Sequence, residues 1–509
     1  MRKKLLWIAL AVVGTAAGRA AAADETDYFA ILSDGSKIGY SIHTRSVHEG
    51  KIITTDKVSM SAERLGAPVT MTVTEEQTET ADGKPLAFKS IQDLSLMSQT
   101  SEGRILPDGK MLITTGAAGP SQSHTTMDWP AGALMSEGAL LLQKRYGLEE
   151  GLIYSYIEFD AMSLRGHPVT VRVIGRKPVD ILGRQETLWE IQTKTEGISS
   201  TVYVDDHYKP RKTLATAAGM NVETVACTQE YALSENAAVD LTNQIVLDSP
   251  QPLHNLKAAG GIAYHFEPNG QAKLAVPNYD NQKVLADPSG LTVTVTAQNI
   301  PAGAAFPYAG DDPLALAALK PTMYLQSRDP QIVALARRAV GMTKDASEAA
   351  RRIEAFVRDY ITTKDDYTVG YASAAEVVKT RRGDCTEHAV LGAAMCQAVG
   401  IPARVVAGIA YVDEWNGFEH VFGYHAWFMA YLDGQWTHFD AALPGGWDVG
   451  HIAFAAGDGS PADYLNTATL IGNFRIDTLR VLPRTAPAAP AATAPRALLQ
   501  KTQRTQGTR

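Results

Sequence analysis

Cysteine is scarce in this sequence, which excludes a scaffold built on disulfide bonds. The 509 residues contain three cysteines, Cys227, Cys385 and Cys396, whereas disulfide-dependent secreted domains carry several pairs. Cys385 and Cys396 stand 11 positions apart. In a helix this spacing is roughly 16 Å, and a disulfide needs Cα atoms within about 7 Å. The thiols are therefore interpreted as single cysteines, each either reactive or buried and inert.

Long hydrophobic runs are also missing. No stretch reaches the 18 apolar residues typical of a membrane span, and the run Leu5–Val13 is too short for one. This run follows Arg2-Lys3-Lys4 and precedes Ala21-Ala22-Ala23, a pattern typical of a signal peptide cleaved before Asp24. Residues 1–23 are predicted to be a signal peptide, and the protein to be exported, periplasmic or secreted. An uncleaved anchor is the alternative.

Acidic residues are absent from both ends of an acidic chain. Residues 1–23 carry four cations and residues 483–509 carry five, which leaves −17 of charge on residues 24–482 against −8 for the whole chain. Nucleic-acid binding needs a basic footprint, so we expect no nucleic-acid partner. The Pro/Ala-rich basic tail, 483–509, is predicted to be disordered. Contact between this tail and an anionic envelope surface is the alternative.

The first half of the chain shows strand patterns and few helical ones. Valines alternate with polar residues over 169–173, as in a strand with one buried face. Asp34-Gly35 separates two further apolar segments and favours a hairpin. Other turn pairs are Asp82-Gly83, Asp108-Gly109 and Leu182-Gly183. We predict a β-rich, half-barrel-like domain over 24–240 and a small β module over 241–320.

The β-rich segment resembles the half-barrel domains of bacterial envelope proteins that handle lipids or lipoproteins. The resemblance rests on Gly39-Tyr40-Ser41-Ile42 and Thr201-Val202-Tyr203-Val204-Asp205. It implies a ligand- or lipid-binding role. A scaffold that positions the following domain is the other interpretation.

Helical patterns begin after residue 320. Asp329-Pro330 predicts a capped helix start with proline at the first position. A second helix is predicted to begin at a Ser347 cap, since apolar residues then follow at helical spacing up to Tyr360. Residues 321–482 are therefore predicted to form a further domain that begins with helices.

Cys385 stands where a helix should begin. Asp384 is a good N-cap, and Glu387 three residues later completes a capping-box pattern. Gly400 and Pro402 predict the end of this helix. A helix start favours the thiolate form of a cysteine, which is the nucleophilic form. A buried inert thiol is the alternative for Cys385.

A hairpin further along supplies partners for this thiol. Asp433-Gly434 favours a two-residue turn between two apolar segments. In that register Trp427 faces Asp440, so His425 and Asp440 become diagonal neighbours with Cβ atoms roughly 7 Å apart or less. An aspartate that orients an imidazole is the third member of a nucleophile–base–acid triad.

Three other histidines compete for a role in the site. His388 lies one helical turn after Cys385 and is interpreted as a capping or supporting residue. His438 faces Met429, further along the hairpin, and His420 is predicted to lie in a loop. A His420/His425 zinc site lacks a recognisable ligand spacing, and no metal or cofactor is expected.

Four ordered motifs resemble the transglutaminase-like superfamily, over about 321–465. They are Gly383-Asp384-Cys385-Thr386-Glu387-His388, the segment from Ala398 to Gly408, His425-Ala426-Trp427 and Trp436-Thr437-His438-Phe439-Asp440. The resemblance implies that residues 321–482 form a transglutaminase-like catalytic domain, with a papain-like α+β core preceded by β-rich domains. It also implies that Cys385 is the nucleophile, His425 the general base and acid, and Asp440 the residue that orients His425.

The resemblance has one departure and one open position. Many members have proline and threonine after the aspartate, where this chain has Ala441-Ala442, which affects substrate details more than the triad. The oxyanion hole lacks an assigned side chain. The backbone N–H of Cys385 is one candidate donor, and Tyr367 or Tyr371 is another.

The residues together predict an exported cysteine-dependent enzyme that hydrolyses amides or transfers acyl groups through a thioester. Its substrate is expected to be a protein or peptide amide, and the triad does not choose between water and an amine as acceptor. A catalytically silent envelope binding module is the first alternative, and a structural cell-wall protein is the second. The oligomeric state is open.

Overall fold

The computed structural model describes residues 25–484 with several gaps. The gaps are 65–66, 95–96, 116–122, 162–163, 196–197, 218–219, 238–245, 270–273, 323, 365–371, 416 and 460–472. The predicted signal peptide, 1–23, and the tail from 485 onwards lie outside the described residues. Within the described ranges, every helix is too short or too polar to cross a bilayer.

One large sheet occupies the first half of the described chain. Its strands are β1 (Glu25–Ser33), β2 (Ser36–His48), β3 (Lys51–Arg64), β4 (Ala67–Thr80), β5 (Pro85–Leu94), β6 (Met97–Ile105), β7 (Lys110–Thr115), β8 (Ser123–Asp128), β9 (Ala133–Leu134), β10 (Ile153–Asp160), β11 (Arg165–Ile181), β12 (Arg184–Thr195), β13 (Ile198–Val204), β14 (Pro210–Ala217) and β15 (Met220–Cys227). The order is β8-β7-β6-β5-β4-β3-β2-β1-β15-β14-β13-β12-β11-β10-β9. Only β9 and β10 run parallel among these described neighbours.

Local sequence explains this sheet. Asp34 and Gly35 have φ of 48° and 80°, the left-handed pair that joins twisted strands in a two-residue turn. The valines of β11 are buried and the intervening polar residues exposed, as their alternation predicts. Phe88 of β5 and Phe159 of β10 lie 4.9 Å apart between ring centroids, so distant parts of the sheet curl onto one apolar cluster. The β-rich prediction for this region is confirmed.

Two smaller sheets form the second half. The five-stranded sheet contains β16 (Val246–Asp248), β20 (Ala403–Trp415), β21 (Phe418–Leu432), β22 (Gln435–Phe439) and β23 (His451–Gly457). The four-stranded sheet contains β17 (Gly261–Pro268), β18 (Gln282–Asp287), β19 (Gly290–Thr296) and β24 (Phe474–Leu482). In the first sheet the order is β16-β21-β20-β23 with β22 beside β21, and in the second it is β18-β19-β17-β24.

The described helices are α1 (Ser136–Tyr146), α2 (Gln229–Ala232), α3 (Pro313–Ala317), α4 (Pro330–Val340), α5 (Ala346–Tyr360), α6 (Ala374–Thr380) and α7 (Cys385–Ala398). Helix α4 begins at Pro330 under an Asp329 cap, as predicted. The cap of α5 was predicted at the wrong residue. Asp345, not Ser347, accepts hydrogen bonds from the first turn, at 2.8 Å from the Ser347 amide. A carboxylate two positions earlier takes these amides, and Ser347 is buried inside the first turn.

The second half is layered around the five-stranded sheet. Apolar residues of α4–α7 pack against one face of β20–β22 and form one core cluster. The four-stranded sheet packs on the other face, and both sheets share a second cluster. These layers agree with the predicted α+β class and the transglutaminase-like core.

Candidate active site

Cys385 is the first residue of α7 and follows a glycine turn. Asp384 accepts a hydrogen bond from the Thr386 amide at 2.8 Å, and Glu387 accepts one from the Asp384 amide at 2.9 Å. The predicted capping box is therefore confirmed. The turn requires Gly383, because a Cβ there would lie 2.2 Å from the Glu387 Cβ. Cys385 is half-buried at the positive end of the helix dipole.

The other two cysteines lie in different surroundings. Cys396 is in the last turn of the same helix and is fully buried, and burial raises the pKa of its thiol. Cys227 ends β15, and burial likewise raises the pKa of its thiol. Cys385 is thus the one cysteine of the described chain that begins a helix.

The predicted hairpin carries the histidine and the aspartate. Leu432 pairs with Gln435 across the Asp433-Gly434 turn, and the register predicted from that turn is confirmed along the strands. Asp440 directly follows the last paired residue of β22, Phe439, and His425 lies three residues before its partner Phe428 in β21. The structure brings them together, with His425 Nε2 2.9 Å from Asp440 Oδ2 and both side chains buried.

The Asp440 carboxylate is fully buried and surrounded by donors. Its Oδ1 accepts hydrogen bonds from the Ala442 and Leu443 amides at 2.8 and 3.2 Å. Burial acts to raise the pKa of this carboxyl, but the charges and hydrogen bonds of His425 and His451 outweigh it, and the pKa lies well below its usual range. Ala442 makes this contact through its backbone amide, so the contact does not depend on which side chain follows the aspartate here.

Helix α5 fixes the backbone of Asp440. Glu354 Oε1 accepts a hydrogen bond from the Asp440 amide at 2.9 Å, and Arg358 Nη2 donates one to the Asp440 carbonyl at 2.7 Å. Burial raises the pKa of Glu354. Two residues one helical turn apart therefore hold both backbone polar groups of the aspartate.

His451, at the start of β23, also contacts Asp440, and the sequence did not predict this. Its Nε2 lies 3.1 Å from Asp440 Oδ2, and its Nδ1 lies 3.3 Å from Asp448 Oδ1. Burial acts to lower the pKa of His451, but hydrogen bonds to the two carboxylates raise it to about 9. No periodicity links position 451 to position 440, and the only local signal is an aspartate three residues earlier.

The competing histidines have structural contacts. His388 is buried beside Lys364 Nζ, 2.9 Å away, and burial lowers its pKa to about 4. His438 accepts a hydrogen bond from the Trp427 indole at 2.8 Å, and burial lowers its pKa to about 3. Both are therefore neutral at pH 7 and support neighbouring groups. His438 pairs with Met429, as predicted.

The structure does not form the His420/His425 zinc alternative. His420 lies within β21 rather than in a loop, and its Nδ1 contacts the Tyr411 hydroxyl at 3.0 Å. His425 lies five residues along the same strand, roughly 16 Å away.

A different trio offers ligand atoms within 4.8 Å of one another, namely His425, Asp440 and His451. However, His451 has oxygen atoms at both ring nitrogens. Nitrogens that donate to oxygens have no lone pair for a metal. These contacts fit a hydrogen-bonded network better than a metal centre.

The geometry selects the atom of His425 that can exchange a proton. Because Nε2 faces Asp440, transfer to or from a thiol would use Nδ1. The α7 start supplies backbone N–H groups of the kind that stabilise an oxyanion. The other predicted donors, Tyr367 and Tyr371, lie outside the described residues.

The region that contains the candidate site matches a known protein family. The family model of the transglutaminase-like superfamily matches residues 333–441, which include Cys385, His425 and Asp440 but not His451. No curated protein matches the chain.

Three solved structures resemble parts of the chain. A candidate cysteine protease from Cytophaga hutchinsonii is 20% identical, with 44% of this chain and 85% of that one covered and a TM-score of 0.29. A β-barrel-like protein of a domain of unknown function from Brucella abortus is 12% identical, with 40% and 95% covered and a TM-score of 0.31. A candidate protease from Parabacteroides distasonis is 13% identical, with 79% and 70% covered and a TM-score of 0.19.

Proposed function

We propose that the protein is a cysteine-dependent enzyme acting on protein or peptide amides, and the match of residues 333–441 to the family model of the transglutaminase-like superfamily supports this proposal. Cys385 is the nucleophile, His425 the general base and acid, and Asp440 the residue that orients His425. The product is either a hydrolysed amide or a new amide made with an amine acceptor.

The reaction has two steps. The Cys385 sulfur attacks the amide carbonyl carbon as its proton passes to His425 Nδ1, and a tetrahedral oxyanion forms. The C–N bond then breaks, and His425 returns the proton to the departing amine, which leaves a thioester on Cys385. In the second step water or an amine attacks the thioester, gives its proton to His425, and the sulfur departs with that proton. Water is the default acceptor unless the site excludes it.

The observation that carries the proposal is the buried 2.9 Å contact between His425 Nε2 and Asp440 Oδ2. A buried carboxylate fixes the tautomer and the orientation of an imidazole and stabilises its cationic form. Glu354 and Arg358 bind the backbone amide and carbonyl of Asp440, which fixes the residue that carries this carboxylate. A silent binding module has no need of these contacts.

The proposal is tested by labelling with a fluorescent iodoacetamide near pH 6.5, followed by peptide mass spectrometry. We expect the wild type to be labelled at Cys385, with labelling lost in Cys385→Ala and kept in the matched control Cys396→Ala. His425→Ala and Asp440→Asn should lower the labelling rate about tenfold or more, with circular dichroism unchanged. Equal labelling of all variants would support the silent module instead.

A further inference from the structure

We propose that His451 is a positioning residue of the active site, which shares an Asp440 oxygen with His425 and is held there as a cation by Asp448. This inference rests on the proposed function, because it assigns a second histidine to the same site. The family match ends at residue 441, so His451 lies outside the matched segment.

The position of the His451 ring is fixed on every side that the structure describes. Nε2 lies 3.1 Å from Asp440 Oδ2, the oxygen that also contacts His425. The ring packs edge-on against Trp427 at 5.2 Å and beside Trp447 at 6.0 Å between centroids. Its side chain is 2% exposed. A ring held this firmly limits the orientations open to the carboxylate it contacts.

The contacts at Nδ1 determine the charge of the ring. Nδ1 lies 3.1 Å from the Asp448 carbonyl oxygen, 3.3 Å from its carboxylate and 3.2 Å from its amide nitrogen. If Nδ1 carried no hydrogen, it could accept a hydrogen bond from that amide, but its lone pair would also face the two oxygen atoms. An N–H group at Nδ1 satisfies both oxygens, and Nε2 needs an N–H to donate to Asp440. Hydrogens on both nitrogens make His451 an imidazolium, in agreement with a pKa raised to about 9.

Other charged groups around His451 leave this assignment intact. His438 faces it from β22 and is neutral at pH 7, because burial lowers its pKa to about 3. Lys257 donates a hydrogen bond to the Trp447 carbonyl and lies near Asp448. Burial acts to raise the pKa of Asp448, but the hydrogen bond and charge of His451 outweigh it, and this pKa is lowered. His451 therefore stands between two ionised carboxylates, Asp440 and Asp448.

This arrangement has a consequence for His425. The His425 and His451 ring centroids are 5.6 Å apart, and both rings contact one carboxylate oxygen. A fixed cation at that distance disfavours a second one, so His451 promotes loss of the His425 proton. Loss of the His451 charge should therefore move the pH dependence of the Cys385 reaction to higher pH by about one unit.

The test measures the alkylation rate of Cys385 by iodoacetamide from pH 5 to 10, with the peptide quantified by mass spectrometry. The step that disappears in His425→Ala is the part of this rate profile that depends on His425. We expect His451→Gln to move this step upward by about one pH unit, and Asp448→Asn to move it less in the same direction. His438→Gln, a matched buried histidine without an Asp440 contact, should leave it in place. Superimposed His451→Gln and wild-type profiles would overturn the inference.

A measurement on the wild type covers the case in which His451→Gln fails to fold. Long-range ¹H–¹⁵N spectra of the histidine rings should show the His451 ring doubly protonated at pH 7, with its resonances identified through Asp448→Asn. A neutral His451 ring at pH 7 would refute the proposal. Failure of the proposed function has a different signature, namely a Cys385 rate that His425→Ala does not change.

Discussion

Asp440 is the residue on which the site depends. Its carboxylate contacts His425, His451 and two backbone amides, and its own backbone is held by α5. A buried charge is stable only when its acceptor positions are filled in this way. The same contacts that keep Asp440 ionised also orient the histidine proposed as the base.

His451 gives the site a pH-dependent contribution to stability. Its folded pKa of about 9 lies above its ordinary value of 6.5, so the contribution is fully present below about pH 6.5 and is lost as pH rises through about 9. We predict that the free energy of unfolding in urea differs between wild type and His451→Gln by about 1–3 kcal/mol more at pH 6 than at pH 9.5. A difference that does not vary with pH would contradict the cationic assignment.

The sequence predicted the residues that regular elements position and missed the one that follows an irregular segment. His425 and Asp440 are joined by a hairpin whose two-residue turn determines the register, so their pairing follows from local rules. His451 reaches Asp440 only after an irregular segment from 441 to 450, whose path depends on packing against other elements. The Asp345 cap was missed because two good capping residues stand two positions apart.

Helix α7 packs closely against strand β21. A Cβ on Gly392 would lie 2.6 Å from the Phe428 ring, which is fully buried between the helices and the sheet. Glycine at this position therefore allows the close approach of the helix that carries Cys385 to the strand that carries His425. The sequence showed an apolar helix face but not which glycine it needed.

Gly392→Ala should destabilise the protein. The added methyl forces the buried Phe428 ring or the helix to shift, at a cost of about 1–3 kcal/mol, and the better helix propensity of alanine offsets up to about 1 kcal/mol of that. Urea unfolding would measure this change. Gly423→Ala is the control and should change stability little. Gly423 lies in β21, as Phe428 does, and a Cβ added there would have nothing within 4 Å. Equal stability of the two variants would show that the contact is loose.

In the whole molecule, the layers around the candidate site are built from segments far apart in sequence. Strand β24, which follows the site residues, pairs with β17, which precedes them. Between the two sheets, Asn281, which lies just before β18, contacts His438 of β22 at 3.0 Å. Alternation in the sequence predicts such strands, but it does not specify partners separated by two hundred residues.

The N-terminal sheet has one row of buried polar side chains near its centre. His43, Asp56, Glu75 and Ser90 face one another across β2 to β5, and all are buried. Burial holds the pKa of Glu75 well above its usual range. A face of carboxyl and imidazole groups is a poor lining for an acyl chain, so this row favours a scaffold or a polar ligand over lipid binding.

If Cys385 forms an acyl-enzyme with help from His425, an activated acyl donor should leave its acyl group on this thiol. Enzyme treated with p-nitrophenyl acetate, an activated acyl donor, is quenched in acid and its peptides are weighed by mass spectrometry. We expect an acetyl group on Cys385 that hydroxylamine removes, that is absent from Cys385→Ala and that is strongly reduced in His425→Ala. Acetylation spread evenly over Cys227, Cys385 and Cys396, or unchanged in His425→Ala, would contradict it.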